Sequence, residues 1–163
     1  MITDKLTIFS GAVSSAGVVT GQAITGAASV VSTNSYDTGP RAIGGNQAVK
    51  LGAGESLYVC VNIRTAPTDP TSVAFQLIQA DDAALTSNVQ VIVDSGTIAI
   101  ASLVAGTNIE LEFRRPNPLA AKRYVGVRYV ITGTNTNAGT YFAAMVADFA
   151  GPQTSYASGY TLS

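Results

Sequence analysis

Few residues in this chain could carry chemistry. Its 163 residues include no His and a single Cys. Without His, neither a Ser-His-Asp triad nor a Cys-His pair can be assembled. One Cys and no His exclude an ordinary structural zinc site, and one Cys excludes an intramolecular disulfide. Asp81-Asp82 is the densest acidic pair. A calcium ion wants six or more oxygens, and no Asp-x-Asp-x-Asp-Gly pattern surrounds the pair, so it reads as a solvated loop between strands. Glu110 and Glu112 share one strand face, roughly 7 Å apart at about 3.4 Å per residue. That lies between the carboxyl spacings of retaining and inverting glycosidases, but both face solvent and the chain has no Trp to form a sugar platform. Cys60, between Val59 and Val61, reads as a small packed hydrophobe, because a thiol nucleophile here would lack a base. The expectation is a protein that is not an enzyme, with no catalytic residue, metal or cofactor.

What remains is chemistry of surfaces. Arg114-Arg115, Lys122-Arg123 and Arg128 gather five of the nine cations into a short stretch. They fit either a partner's acidic surface or a solvated edge balanced by Glu110 and Glu112. Tyr combines apolar area with a polar tip and suits interfaces. Tyr124 and Tyr129 fall on opposite faces of one strand, so one of them faces outward if the other is in the core, and Tyr156 and Tyr160 lie near the C-terminus. The candidate contact residues are therefore Arg114, Arg115, Tyr129, Tyr156 and Tyr160.

The elements that must position these residues are strands. Leu57, Val59, Val61 and Ile63 alternate with polar residues across Ser56 to Arg64, the pattern of a half-buried strand. Val73, Phe75 and Leu77 alternate likewise, as do Val89, Val91 and Val93, then Ile109, Leu111 and Phe113. Val125, Val127, Tyr129 and Ile131 alternate with Tyr124, Gly126, Arg128 and Val130. Thr97–Ala101 and Thr140–Phe149 are further strands, and Ala28–Ser32 and Ala48–Leu51 precede them. Turn signals separate these runs: Gly52-Ala53-Gly54, Pro67 to Pro70, Asp81-Asp82, Asp94-Ser95-Gly96, Pro116-Asn117-Pro118 and Gly133 to Asn137. A helical turn fits only at Ser102–Val104 or Leu119–Lys122. Eight or nine short strands about ten residues apart predict an all-β fold, an antiparallel sandwich or barrel. The whole chain, 1–163, reads as one domain with an N-terminal arm at 1–27 and a C-terminal tail at 151–163.

Composition narrows the function further. Charged residues are 12% and the formal net charge is -1, so binding nucleic acid through phosphate neutralisation is not expected. No charge occurs between Lys5 and Asp37. Within that stretch, Gly, Ser, Thr and Gln interrupt Gly11 to Val31 every few positions, so it reads as neither membrane span nor signal peptide. Thr7 to Tyr36 is instead expected to lie extended against a partner chain.

Several strings, in order along the chain, resemble the Bbp16-like capsid cement proteins of tailed bacteriophages. They are MITDKLTIFSGA at the start, LGAGESLYVCVNI, SVAFQLIQADD followed by LTSNVQVI, AKRYVGVRYVITGT, and QTSYASGYTL near the end. The resemblance implies an antiparallel β-sandwich of jelly-roll type. It implies a decoration protein made in the host cytoplasm and bound to the outer capsid surface of the virion, where it clamps neighbouring capsomers. The implied partners are the major capsid protein and the chain itself, as a homodimer ahead of a homotrimer. Family catalytic residues to transfer do not exist, and contact residues follow no motif. The competing function is a carbohydrate- or cell-surface-binding jelly-roll module, for which Tyr58 or Tyr129 would have to serve as the stacking aromatic.

Overall fold

The computed structural model describes residues 7–39, 57–113 and 122–146. Among the described residues there are twelve strands: β1 (Ile8–Ser10), β2 (Ala12–Val13), β3 (Val19–Thr20), β4 (Gln22–Ala23), β5 (Ser29–Val31), β6 (Tyr36–Asp37), β7 (Leu57–Thr65), β8 (Pro70–Ala80), β9 (Gln90–Ala99), β10 (Asn108–Phe113), β11 (Tyr124–Gly133) and β12 (Thr140–Val146). One sheet runs β1-β12-β7-β10, with β4 continuing along the β12 edge beyond β1. The other runs β5-β11-β8-β9, with β6 following β5 along β11. Strands β2 and β3 pair only with each other, as a separate ribbon. Every pairing is antiparallel. The protein is an all-β sandwich.

Alternation builds the core. Val59, Val61 and Ile63 of β7 and Tyr141, Ala143 and Met145 of β12 face Val73, Phe75 and Leu77 of β8 and Val125, Val127, Tyr129 and Ile131 of β11. Leu111 and Phe113 of β10 complete the layer. Burying such side chains between two sheets removes about 1.5–3 kcal/mol worth of apolar surface each from water. The expected faces of β7, β8, β10 and β11 are the observed ones. The helical turn near residue 102 is a single 3-10 turn at Ile100–Ser102.

Three expectations are corrected. Val89–Val93 and Thr97–Ala101 are not two strands around a turn, because β9 runs through both. Opposite Ala74 and Gln76, β9 places Thr97 and Asp94, so one extra residue bulges there. Gly96 takes up the left-handed φ of +73°, and the Ser95 hydroxyl accepts the Phe75 N–H at 2.9 Å. A bulge and a turn use the same Asp-Ser-Gly chemistry; the partner strand decides between them.

The second correction concerns the N-terminal arm. Phe9 and Ile24 are core residues, and β1 and β4 both pair with β12. Asn34 donates its backbone N–H to Phe9 O at 2.9 Å. Gln22 bridges the two sheets: its Nε2 donates to Val31 O and its Oε1 accepts the Thr33 N–H, both at 2.9 Å. Through β1, β4 and β5 the uncharged stretch from Thr7 to Tyr36 is therefore built into the sandwich rather than lying beside it as an arm. Its strands are two or three residues long, too short for periodicity to register.

The third concerns Tyr129, which is fully buried. The strand at Ala48–Leu51, the last residues of Thr140–Phe149 and the tail at 151–163 lie outside the described residues.

Candidate functional site

The functional question falls on the outer faces and edges of the sandwich. At one end of the second sheet the outward positions are small or β-branched: Ser72 and Ala74 on β8, Thr97 and Ala99 on β9, Val130 and Thr132 on β11. Register lines them up as Val130, Ala74, Thr97 and as Thr132, Ser72, Ala99. One polar row crosses this flat field. Arg128 Nε donates to Gln76 Oε1 at 2.7 Å, and Gln76 Nε2 donates to Asp94 Oδ2 at 2.6 Å. The row links three strands through the Gln76 amide.

At one end of that face the 81–89 loop folds back over the sheet. Leu85 is buried with Ile78 and Ala80, and Val31, Val89 and Tyr124 pack around them. A Cβ on Gly126 would lie 2.2 Å from Leu85 Cδ1, so the loop's seat exists because β11 carries Gly there. Asp81 and Asp82 hold the loop. Asp82 accepts the Thr86 and Ser87 N–H groups at 2.9 and 2.7 Å and the Thr86 hydroxyl at 2.7 Å. Asp81 accepts Asn88 Nδ2 at 2.8 Å and Lys122 Nζ at 3.0 Å. Both carboxyls are held below the usual range: Asp82 chiefly by the Ser87 N–H and Asp81 chiefly by Asn88 and then Lys122. The acidic pair is loop architecture.

The clustered cations are likewise engaged within the chain where they are described. Arg123 makes a two-pronged pair with Asp37, Nε to Oδ1 and Nη2 to Oδ2, both at 2.8 Å. Its guanidinium also lies 5.0 Å from the centroid of the Tyr124 ring. Arg123 drives the Asp37 carboxyl down to about 2. Arg114 and Arg115 lie outside the described residues, as do Tyr156 and Tyr160.

Tyr129 is not a surface contact. Its ring stacks on Tyr141 with centroids 5.2 Å apart, and Phe75 meets both edge-on. Its hydroxyl donates to Ser10 Oγ at 2.8 Å in the core, and burial pushes the phenol well above its ordinary range. The alternation of β11 already groups Tyr129 with Val127 and Ile131; the outward tyrosine of that strand is Tyr124.

On the first sheet, Glu110 and Glu112 face outward on the edge strand β10, opposite Cys60 and Tyr58. Cys60 is on the outer side of β7 yet buried; burial first, and Glu110 second, push its thiol up to about 11. Among the described residues no group of three or more His, Cys, Asp or Glu is placed to hold a metal ion, and no helix is long and apolar enough to cross a membrane.

One surface element went unrecognised in the sequence. The β2–β3 ribbon pairs with neither sheet, although its Val19 packs against Ile8, Phe142 and Ala144 of the first. Ala12 to Val18 are exposed without interruption, and two of the four exposed large hydrophobics among the described residues are here, Val13 at 40% and Val18 at 58%.

Residues 18–146 match the Bbp16 family, a phage-related family, and the chain belongs to it. No curated protein matches it significantly.

Proposed function

We propose that the chain is a capsid cement protein. It binds the outer surface of a tailed-phage capsid and stabilises contacts between neighbouring capsomers, without enzymatic activity. Membership of the phage-related Bbp16 family over residues 18–146 carries this reading. The strand order supports it. Numbered in chain order, the eight principal strands β1, β5, β7, β8, β9, β10, β11 and β12 run 1-8-3-6 in one sheet and 2-7-4-5 in the other. We read that interleaving as two Greek keys, the arrangement of a jelly roll, a fold common among capsid proteins. Low charge supports it as well, since few ions need desolvation when a broad face is covered.

A homodimer suits a two-fold position on the shell and a homotrimer a three-fold one; the dimer is the working expectation. The carbohydrate-binding alternative is weakened by the burial of Tyr129 and by Arg123 lying over Tyr124, which leaves Tyr58 as the aromatic to test for it. Co-sedimentation of the purified chain with expanded shells lacking decoration tests the proposal. Saturable binding is expected, and failure to bind at micromolar concentration would overturn it.

A further inference from the structure

Backbone strain gathers at one place in the described chain. Leu85 at φ +58° and Asn88 at φ +49° are its two non-glycine residues in the left-handed region, and both lie in the 81–89 loop. That conformation crowds Cβ against a carbonyl oxygen. Asn tolerates it, but a Leu held there is an outlier that its surroundings must impose. A single anchor imposes it. Leu85 is the one buried residue of 81–89, while Ala83, Ala84, Thr86, Ser87 and Asn88 are exposed. The loop's other bonds mostly close on itself. Leu85 N–H donates to Asp82 O and Asp81 N–H to Ser87 O, both at 3.1 Å, and the Asp82 carboxylate takes the Thr86 and Ser87 N–H groups. Its bonds to neighbours are exposed ones: Ser35 Oγ donates to Ala83 O at 2.9 Å and Lys122 Nζ to Asp81 at 3.0 Å. Beneath Leu85 lie Ile78 and Ala80 of β8, fully buried although they point away from the core between the sheets.

We infer that residues 81–89 are a strap poised to open on the outer face of the second sheet, with Leu85 as its latch, and that the strap lifts while the sandwich stays folded. Release returns Leu85 and Asn88 to ordinary backbone, so the strain favours opening. Burial of one leucine opposes it. A segment balanced in this way opens at a cost well below that of global unfolding. Closed, this end of the face presents the polar groups of the loop. Open, it presents Ile78 and Ala80 with Val31 and Tyr124 around them. Gly126 sets the balance, because a Cβ there would lie 2.2 Å from Leu85 Cδ1. The inference stands apart from the cement reading, since it concerns the free chain alone.

Thiol labelling of the full-length chain tests this, with a reporter placed under the strap as Ile78→Cys in one variant and Ala80→Cys in another. The first loosens the seat and the second fills it, so an opening that belongs to the strap appears in both. Cys60, buried on the other sheet, reports global unfolding in the same sample. Under native conditions each introduced thiol should label at least about a hundredfold faster than Cys60. Its rate should stay nearly flat in low urea, where that of Cys60 climbs, because lifting the strap exposes little surface. Adding Leu85→Ala should speed the introduced thiol about tenfold or more by removing the latch. Labelling no faster than Cys60 would overturn the strap, by showing that the seat opens only when the chain unfolds. Fast labelling in one reporter variant alone would overturn it by assigning the opening to the substitution. Fast labelling that Leu85→Ala leaves unchanged would overturn Leu85 as the latch and the inference with it.

Discussion

Tyr129 on β11 donates its hydroxyl hydrogen to Ser10 on β1 at 2.8 Å, joining residues 119 apart in sequence inside the buried core. The bond ties the second sheet to the edge of the first and fixes the chain's N-terminal strand as part of the fold. Tyr129→Phe leaves Ser10 without that donor and should cost about 1–2 kcal/mol of stability. Urea denaturation with an unchanged m-value would register it as a lowered midpoint.

The same relationship governs truncation. Removing residues 1–27 takes Phe9 and Ile24 from the core together with the four strands β1 to β4, two of which, β1 and β4, pair with β12. Large-to-small loss at each core site costs about 2–5 kcal/mol, against a total stability of about 5–15 kcal/mol. The truncated chain should show no cooperative melt by calorimetry. A sharp transition near the wild-type temperature would mean that these strands are dispensable.

Gly126 and Leu85 form a second coupled pair. Gly126→Ala drives a Cβ into Leu85 Cδ1 and should destabilise by about 1–3 kcal/mol. Leu85→Ala should also destabilise, by emptying the seat. Combined, the two should cost less than their sum, since the clash disappears with the leucine. A double-mutant cycle by chemical denaturation measures the coupling.

Acid should loosen the second sheet's edge. The Arg123 guanidinium and the Gly39 N–H lower Asp37 to about 2 from its ordinary 3.8. A depressed carboxyl contributes stability that is present above its unfolded pKa and is lost as pH falls through the folded value. The Asp37 contribution is thus complete above about pH 4 and fades toward pH 2. Asp37→Asn should flatten that part of the melting-temperature profile, and added salt should shrink the wild-type slope, because the pair is exposed.

Cys60 should resist thiol reagents in the native protein. Its thiol sits at about 11, raised first by burial, so little thiolate exists near pH 8. Labelling should become fast only in denaturant. Rapid native labelling would place Cys60 in contact with solvent.

The long strands were legible in the sequence because their faces alternate over enough residues to register. Leu57, Val59, Val61 and Ile63 point inward as their spacing says. The short N-terminal strands were not, since a two-residue strand such as β4 has no period. What builds them is pairing with β12 and the Gln22 bridge, which are long-range relations. Opposite orientations for Tyr124 and Tyr129 followed from their spacing of five. The grouping of Tyr129 with Val127 and Ile131 is what places it inside rather than at a contact surface. The cation cluster read as a patch because sequence proximity hides partners: Arg123 finds Asp37 and Lys122 finds Asp81 from 86 and 41 residues away.

The most direct test of cement function is the thermal stability of the shell itself. Calorimetry of expanded, undecorated shells should show a higher disruption temperature after the chain is added to saturation, with the increase scaling with occupancy. An unchanged disruption temperature on shells shown to carry bound chain would contradict a cementing role.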